Sequence, residues 1–376
     1  MVSFELSDEQ KLLRETVASF SAEQLRPFAR DADENGAVPE AVVARAWELG
    51  LVQSVIPESY GGFGDARSAL TGAIVLEELG YGDLSFSLHV LAPRLLVYPL
   101  LAHGTEEQKK RFLPAFTGAT FRPATAAIVE PSMHFDLAGL GTTYRKENGA
   151  YLLSGRKALV PLARSSETIL VYARNAEAPP SGMPLEAYRA VDAFLLDRSA
   201  AGLEISAPEK NMGLKALETN ELTLKDVRVG EESRLGASGG IDFAQLMNHS
   251  RVALAALAVG VARAAYDYAR DYAKERKAFG VAIAQKQAIA FMLAEMAIEI
   301  DATRLLLWEA AWKLDRGEEA TREAYLAKNY AASMALKVTD NAVQVLGGHG
   351  YIRDHMVELW LRNARGFASF EGMAIV

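Results

Sequence analysis

Four short stretches in the last third of this sequence carry the side chains best suited to chemistry. They are Arg276-Lys-Ala-Phe279-Gly280, Gln287, Gln344-Val-Leu-Gly347-Gly348-His-Gly350 and Phe370-Glu371-Gly372. Arg276 offers a planar fork of donors that matches the oxygens of a pyrophosphate. Glycines 347, 348 and 350 lack a Cβ, so a backbone turn there can pass close to a flat or anionic ligand. Glu371 sets a carboxylate on a turn, with an aromatic residue before it and a glycine after it. Singly these are common surface features.

The elements that hold them follow from periodicity. Segments 251–275, 285–316 and 319–345 set polar residues at three-to-four spacing against broad Ala/Leu/Val/Ile/Met faces. That pattern predicts three long antiparallel helices, closed by a shorter one near 351–364. Glu295, Glu299, Arg304 and Glu309 read as a solvated stripe on the second of them. Between about 124 and 237 the period changes to short β-branched and aromatic runs, including a hairpin turning at Asn148-Gly149. Residues 1–120 read as helices, with capping boxes at Ser7–Gln10 and Thr105–Gln108. The Gly61–Gly64 loop lacks the preceding strand and lysine of a phosphate cradle and reads as a turn. The expected fold is mostly α with a central β domain: 1–120 helical, 121–238 β, 239–376 a helical bundle.

With 376 residues, half of them hydrophobic, the chain can bury large cores. A net charge of -8 argues against a nucleic-acid or membrane surface as main partner. The chain has no cysteine. Disulfides, thiolate metal ligands and a cysteine nucleophile are therefore excluded, no metal site is expected, and redox chemistry would need a cofactor. No basic-then-apolar leader opens the sequence, and the longest apolar run, Val252 to Ala262, is too short to span a bilayer. A soluble, cytoplasmic protein is expected.

The order and spacing of the C-terminal motifs resemble the acyl-CoA dehydrogenase family. Pro57-Glu-Ser-Tyr-Gly-Gly, Gly104-Thr-Glu-Glu-Gln-Lys, Met212-Gly-Leu and Asp226-Val-Arg-Val extend the resemblance along the whole chain. It implies an N-terminal helical domain, a β-barrel-like middle domain and a C-terminal four-helix bundle, with FAD in the cleft between the last two. Arg276, Phe279 and Gln287 would hold the pyrophosphate and adenine side. Gln344, Gly347, Gly348 and Gly350 would take the adenosine part of a cofactor in the adjacent chain, and His349 would be a loop residue without a ligand role.

The reaction so implied removes a proton from the carbon next to a thioester carbonyl while a hydride leaves the adjacent carbon for the flavin. By resemblance to the short- and medium-chain branch, the base is Glu371, with Phe370 and Gly372 beside the substrate. The other branch's base would precede Arg251, where this chain has Ser250. Asn248 and Arg251 sit where the family contacts the nucleotide part of coenzyme A. The substrate would be an acyl-CoA or acyl-carrier thioester, the electron acceptor an electron-transferring flavoprotein, and the assembly a homotetramer or a heterotetramer with a related chain.

Departures from the family pattern crowd around the flavin ring. A Thr-Glu-Pro-Gly-Ala-Gly-Ser-Asp-like run is here Val129-Glu130-Pro131-Ser132-Met133-His134-Phe135-Asp136, and a Trp-Ile-Thr-like run is Leu159-Val160-Pro161. Val129 has no hydroxyl and Pro161 neither hydroxyl nor N–H. Met373 replaces a usual Thr, and the sequence ends at Val376, before the usual terminal helix. Two alternatives therefore stand beside an active dehydrogenase: a catalytically inactive or regulatory partner subunit, and a flavin oxidase or monooxygenase on the same fold. Retention of Glu371 favours the active reading; the altered β-domain motifs favour the partner subunit.

Overall fold

A computed structural model describes residues 5–64, 66–178 and 184–376. The N-terminal part is helical: α1 (Asp8–Phe20), α2 (Arg26–Asn35), α3 (Glu40–Glu48), α4 (Ala69–Gly82), α5 (Leu84–Leu91), α6 (Arg94–His103) and α7 (Glu106–Phe112). Both capping boxes form as expected, with Ser7 and Thr105 each satisfied reciprocally by the glutamine three residues on. The Gly61–Gly64 loop is a turn. The N–H groups of Gly62 and Gly64 donate to the carbonyls of Pro57 and Ile56, and a Cβ at Gly62 would lie 2.0 Å from the Ile56 oxygen.

The middle of the chain forms a curled seven-stranded sheet from β1 (Thr125–Ala127), β2 (Thr143–Glu147), β3 (Ala150–Pro161), β4 (Thr168–Asn175), β5 (Val191–Asp197), β6 (Leu203–Ile205) and β7 (Thr219–Gly230). A short helix, α8 (Pro184–Tyr188), precedes β5. Asn148 and Gly149 turn the β2–β3 hairpin with φ of 51° and 70°. The register of β3 against β7 shifts between Lys157 and Val160, and within that irregularity Leu159 takes φ 53°. A bulge of this kind re-aims side chains next to it, which matters for the site below.

The C-terminal part contains α9 (Phe243–Glu275), the small hairpin β8 (Lys277–Ala278) and β9 (Val281–Ala282), then α10 (Gln287–Asp315), α11 (Thr321–Leu346), α12 (Gly348–Tyr351) and α13 (Val357–Ala364). Helix α9 begins at Phe243, ahead of the expected 251. Asp242 caps it by accepting from the Gln245 N–H, and Phe243, Leu246 and Met247 extend its apolar face into a core shared with the β domain. By length and composition α9 is apolar enough to cross a membrane, contrary to the reading from its longest apolar run, but 78% of that window is buried in the protein. It crosses α4 at close range: a Cβ at Gly260 would lie 2.2 Å from the Glu77 carbonyl oxygen, and one at Gly80 2.6 Å from that of Leu257.

The expected solvated stripe on α10 is only partly that. Arg304 pairs with Glu77 of α4 at 2.9 Å, next to the Arg263–Glu77 pair at 2.8 Å, so it fastens the N-terminal helices to the bundle.

Candidate active site

Between the sheet and the bundle lies a cleft of about 1380 Å³. Its walls include Val129, Glu130, Ala158 and Leu159 from the β domain, Tyr188 from α8, Arg251 from α9, Tyr325 and Lys328 from α11, and Glu371. The turn that carries Glu371 is wedged in place. Gly372 has φ 67°, and a Cβ there would lie 2.0 Å from Ile128 Cδ1, so this turn requires glycine both for its backbone and for its space. Phe370 is buried and packs its ring edge-on to Phe367 at 5.6 Å. Phe370 and Gly372 are therefore supports of Glu371 and do not line the cleft, which corrects their assignment to substrate contact.

Two buried cations flank the Glu371 carboxylate. Lys328 Nζ lies 3.0 Å from Oε1, and Arg251 Nε lies 3.8 Å from Oε2. The second distance is too long for a hydrogen bond, and both Oε2 and Arg251 Nε are buried without a hydrogen-bond partner. Arg251 donates to the Tyr188 hydroxyl at 3.3 Å and sits over the Tyr325 ring, 5.3 Å from its centroid. Asn248 is buried and donates to the Thr321 hydroxyl at 2.9 Å. Arg251 and Asn248 therefore do not form an open nucleotide-facing surface; Arg251 belongs with Glu371. Sequence reasoning missed Lys328. Its signal was available, because helical spacing puts it with Ala324, Ala327 and Ala331 on the buried face of α11, where a lone lysine needs a partner.

The lip of the cleft is set by Glu130. Its carboxylate accepts from the N–H groups of Gly141 at 2.7 Å and Thr142 at 2.8 Å and pairs with Lys157 at 2.9 Å. Burial opposes ionisation of Glu130, but the Lys157 charge and the hydrogen bonds from Lys157 and Thr142 outweigh it and hold the carboxyl below the usual range. Burial pushes the Lys157 ammonium down to about 8, with Glu130 pulling the other way. Val129 and Leu159 line the cleft as the sequence pattern requires of them, whereas Pro161 is buried in β3 opposite Thr219 and lies outside the lining. Met373 is likewise buried in the helical core.

A second, shallower cavity of about 350 Å³ shares no lining residue with the cleft. Arg276, Gly347, Gly348, Tyr272 and His349 border it. The structure thus joins Arg276 to the glycine turn. A Cβ on Gly347 or Gly348 would meet nothing within 4 Å, whereas Gly350 is pressed against the Val343 carbonyl and serves packing. Phe279 stands 94% exposed at the tip of the β8–β9 hairpin. Gln287, at the start of α10, and Gln344, in the last turn of α11, are exposed too, and none of the three borders this cavity. His349, expected to have no ligand role, does border it, with Nδ1 2.8 Å from the Tyr272 hydroxyl and its ring stacked on His355 at 5.4 Å.

Residues 7–119, 125–227 and 238–374 match the N-terminal, middle and C-terminal domains of acyl-CoA dehydrogenase. This chain belongs to the acyl-CoA dehydrogenase family. It is 33% identical to the short-chain specific acyl-CoA dehydrogenase of Bos taurus mitochondria, over 98% of this chain and 88% of that protein. It is also 33% identical to subunit CarC of the caffeyl-CoA reductase-Etf complex of Acetobacterium woodii, over 98% and 96%. The butyryl-CoA dehydrogenase of Megasphaera elsdenii superposes with a TM-score of 0.87 at 29% identity, covering 100% of this chain and 96% of that one.

Proposed function

We propose that this chain is a flavin-dependent oxidoreductase that removes hydrogens from the α and β carbons of an acyl-CoA thioester, with Glu371 taking the α-proton. One observation carries the reading: Glu371 lines the cleft with Oε1 held by Lys328 and Oε2 without a hydrogen-bond partner. A general base needs a lone pair that no other group occupies, and Oε2 makes no hydrogen bond. Family membership and the acyl-CoA dehydrogenase and reductase among the relatives support the substrate class. In the reductive direction the same carboxyl returns the proton.

FAD is the cofactor of this reading; when bound it supplies the acceptor for the β-hydride. Its nucleotide end fits Arg276, Gly347, Gly348 and His349, where a fork of donors meets a backbone open enough for a close approach. Its ring end meets apolar walls at Val129, Ala158 and Leu159. The separation of the two cavities suits a cofactor shared between subunits, with Arg276 serving a neighbour's FAD. An electron-transferring flavoprotein is proposed as the redox partner on the strength of the Etf complex that includes CarC.

The inactive or regulatory partner subunit is kept as a second reading because of one feature of the ring wall. No hydroxyl stands at Val129, and the Leu159 N–H is given to the Glu209 carboxylate at 3.2 and 3.3 Å. Anaerobic mixing of the purified protein with acyl-CoAs of graded length separates the two. Bleaching of a bound flavin by at least one of them supports the dehydrogenase. A colourless protein that takes up no added FAD would replace it with the partner subunit.

A further inference from the structure

The pairing of Lys328 with Glu371 has no equivalent among the roles assigned above. Lys328 lies on the apolar face of α11 between Ala324 and Ala331, with 6% of its side chain exposed. A lysine so buried is costly unless its charge is matched. Its ammonium meets one oxygen of Glu371 and leaves the other, buried beside the cleft that Glu371 lines, without a hydrogen bond. On the opposite side stands Arg251, whose Nε has no hydrogen-bond partner and is 3.8 Å from that free oxygen. Arginine and carboxylate favour a two-pronged pair. Without a hold on Oε1, a small rotation of the Glu371 side chain would bring Oε2 onto Arg251 Nε and engage the oxygen that now makes no hydrogen bond.

We infer that Lys328 is a positioning residue: it anchors Oε1 of Glu371 and so keeps Oε2 off Arg251 and available to the substrate's α-proton. The inference rests on Glu371 being the base. Lys328 itself touches no reacting atom. Its loss acts on the proton-removal step more than on substrate binding, because the cleft walls stay in place.

The test follows exchange of a saturated acyl-CoA's α-hydrogen with D2O by NMR, together with kcat and KM with a dye acceptor. Four proteins are compared: the parent, Lys328→Met, Lys328→Arg and Glu371→Gln. The Met variant is expected to lose about 10²-fold in exchange rate and kcat, with KM within about threefold of the parent. The Arg variant, which restores a charged donor, is expected to recover most of that loss. Parental exchange in Lys328→Met, a loss carried by KM, or an Arg variant as impaired as the Met variant each overturns the positioning role. If Lys328→Met does not fold, Lys328→Gln takes its place under the same criteria. Glu371→Gln isolates the premise. If it exchanges like the parent, or if the parent exchanges nothing, the assignment of the base fails and the inference with it; if it is inert while Lys328→Met exchanges like the parent, only the positioning role fails.

Discussion

Lys157 and Glu130 form a buried ion pair of 2.9 Å beneath the lip of the cleft, and the same ammonium donates to the Ile128 carbonyl at 3.0 Å. With the Gly141 and Thr142 N–H groups on the same carboxylate, the pair ties the end of β1, the start of β2 and the bulge of β3 together. Lys157→Met strands the Glu130 charge in a dry setting. The expected cost is about 3–5 kcal/mol in urea unfolding. A change well below 1 kcal/mol would mean the pair does not hold the lip.

Acid should destabilise the protein before its carboxylates titrate. Burial pushes His89 down to about 4, and burial together with Arg67 pushes His249 down to about 3. Below the ordinary histidine value of about 6.5 the unfolded chain takes up protons that these folded-state rings refuse. The unfolded state then binds more protons, so stability falls as pH drops from about 6.5 toward 4, by at most on the order of 1.4 kcal/mol per pH unit for each ring. Urea midpoints at pH 7, 6 and 5 should decline, and His89→Phe should flatten the slope. A pH-independent parent midpoint would contradict the burial of both rings as neutral groups.

Helix α10 carries Phe291, Ile298, Leu305 and Trp312 at seven-residue intervals, exposed by 59%, 66%, 51% and 46%. That spacing lays them along one line of the helix, and a contiguous apolar stripe of this length marks an association surface. It supports a dimer of dimers in which α10 meets another copy. Light scattering should report four chains for the parent and fewer for Leu305→Glu. A parent that stays monomeric at micromolar concentration rules the assembly out.

Retention of FAD should depend on the cavity remote from Glu371. Arg276→Ala removes a charge-assisted pyrophosphate contact of about 1.5–3 kcal/mol, roughly ten- to hundredfold in Kd. The flavin-to-protein ratio after dialysis should fall accordingly, and His349→Ala should lower it less. Equal retention by Arg276→Ala and the parent would remove Arg276 from the site.

Much of the fold was legible because its signals are local. The capping boxes, the Asn148-Gly149 hairpin and the long helices follow from spacing within a few residues. The Glu371 turn was legible from its flanking aromatic and glycine, although their purpose was not: Phe370 and Gly372 support the turn through Phe367 and Ile128. The rest depends on contacts between distant segments. Nothing near Arg251 or Lys328 announces that both converge on Glu371. Pro161, set beside the ring by resemblance alone, is buried in β3 opposite Thr219, while Leu159 in the β3 bulge adopts φ 53° and lines the cleft. Arg304 looked solvated until α4 supplied Glu77.

Whether Glu371 removes the proton in a flavin-dependent reaction is decided by one anaerobic titration. The parent and Glu371→Gln, each loaded with FAD, are titrated with the acyl-CoA that best bleaches the parent, and absorbance is followed in the flavin bands. Complete bleaching is expected of the parent and, for the Gln variant, an unchanged resting spectrum with at least about 10²-fold slower bleaching. Equal bleaching of the two proteins would contradict that role of Glu371.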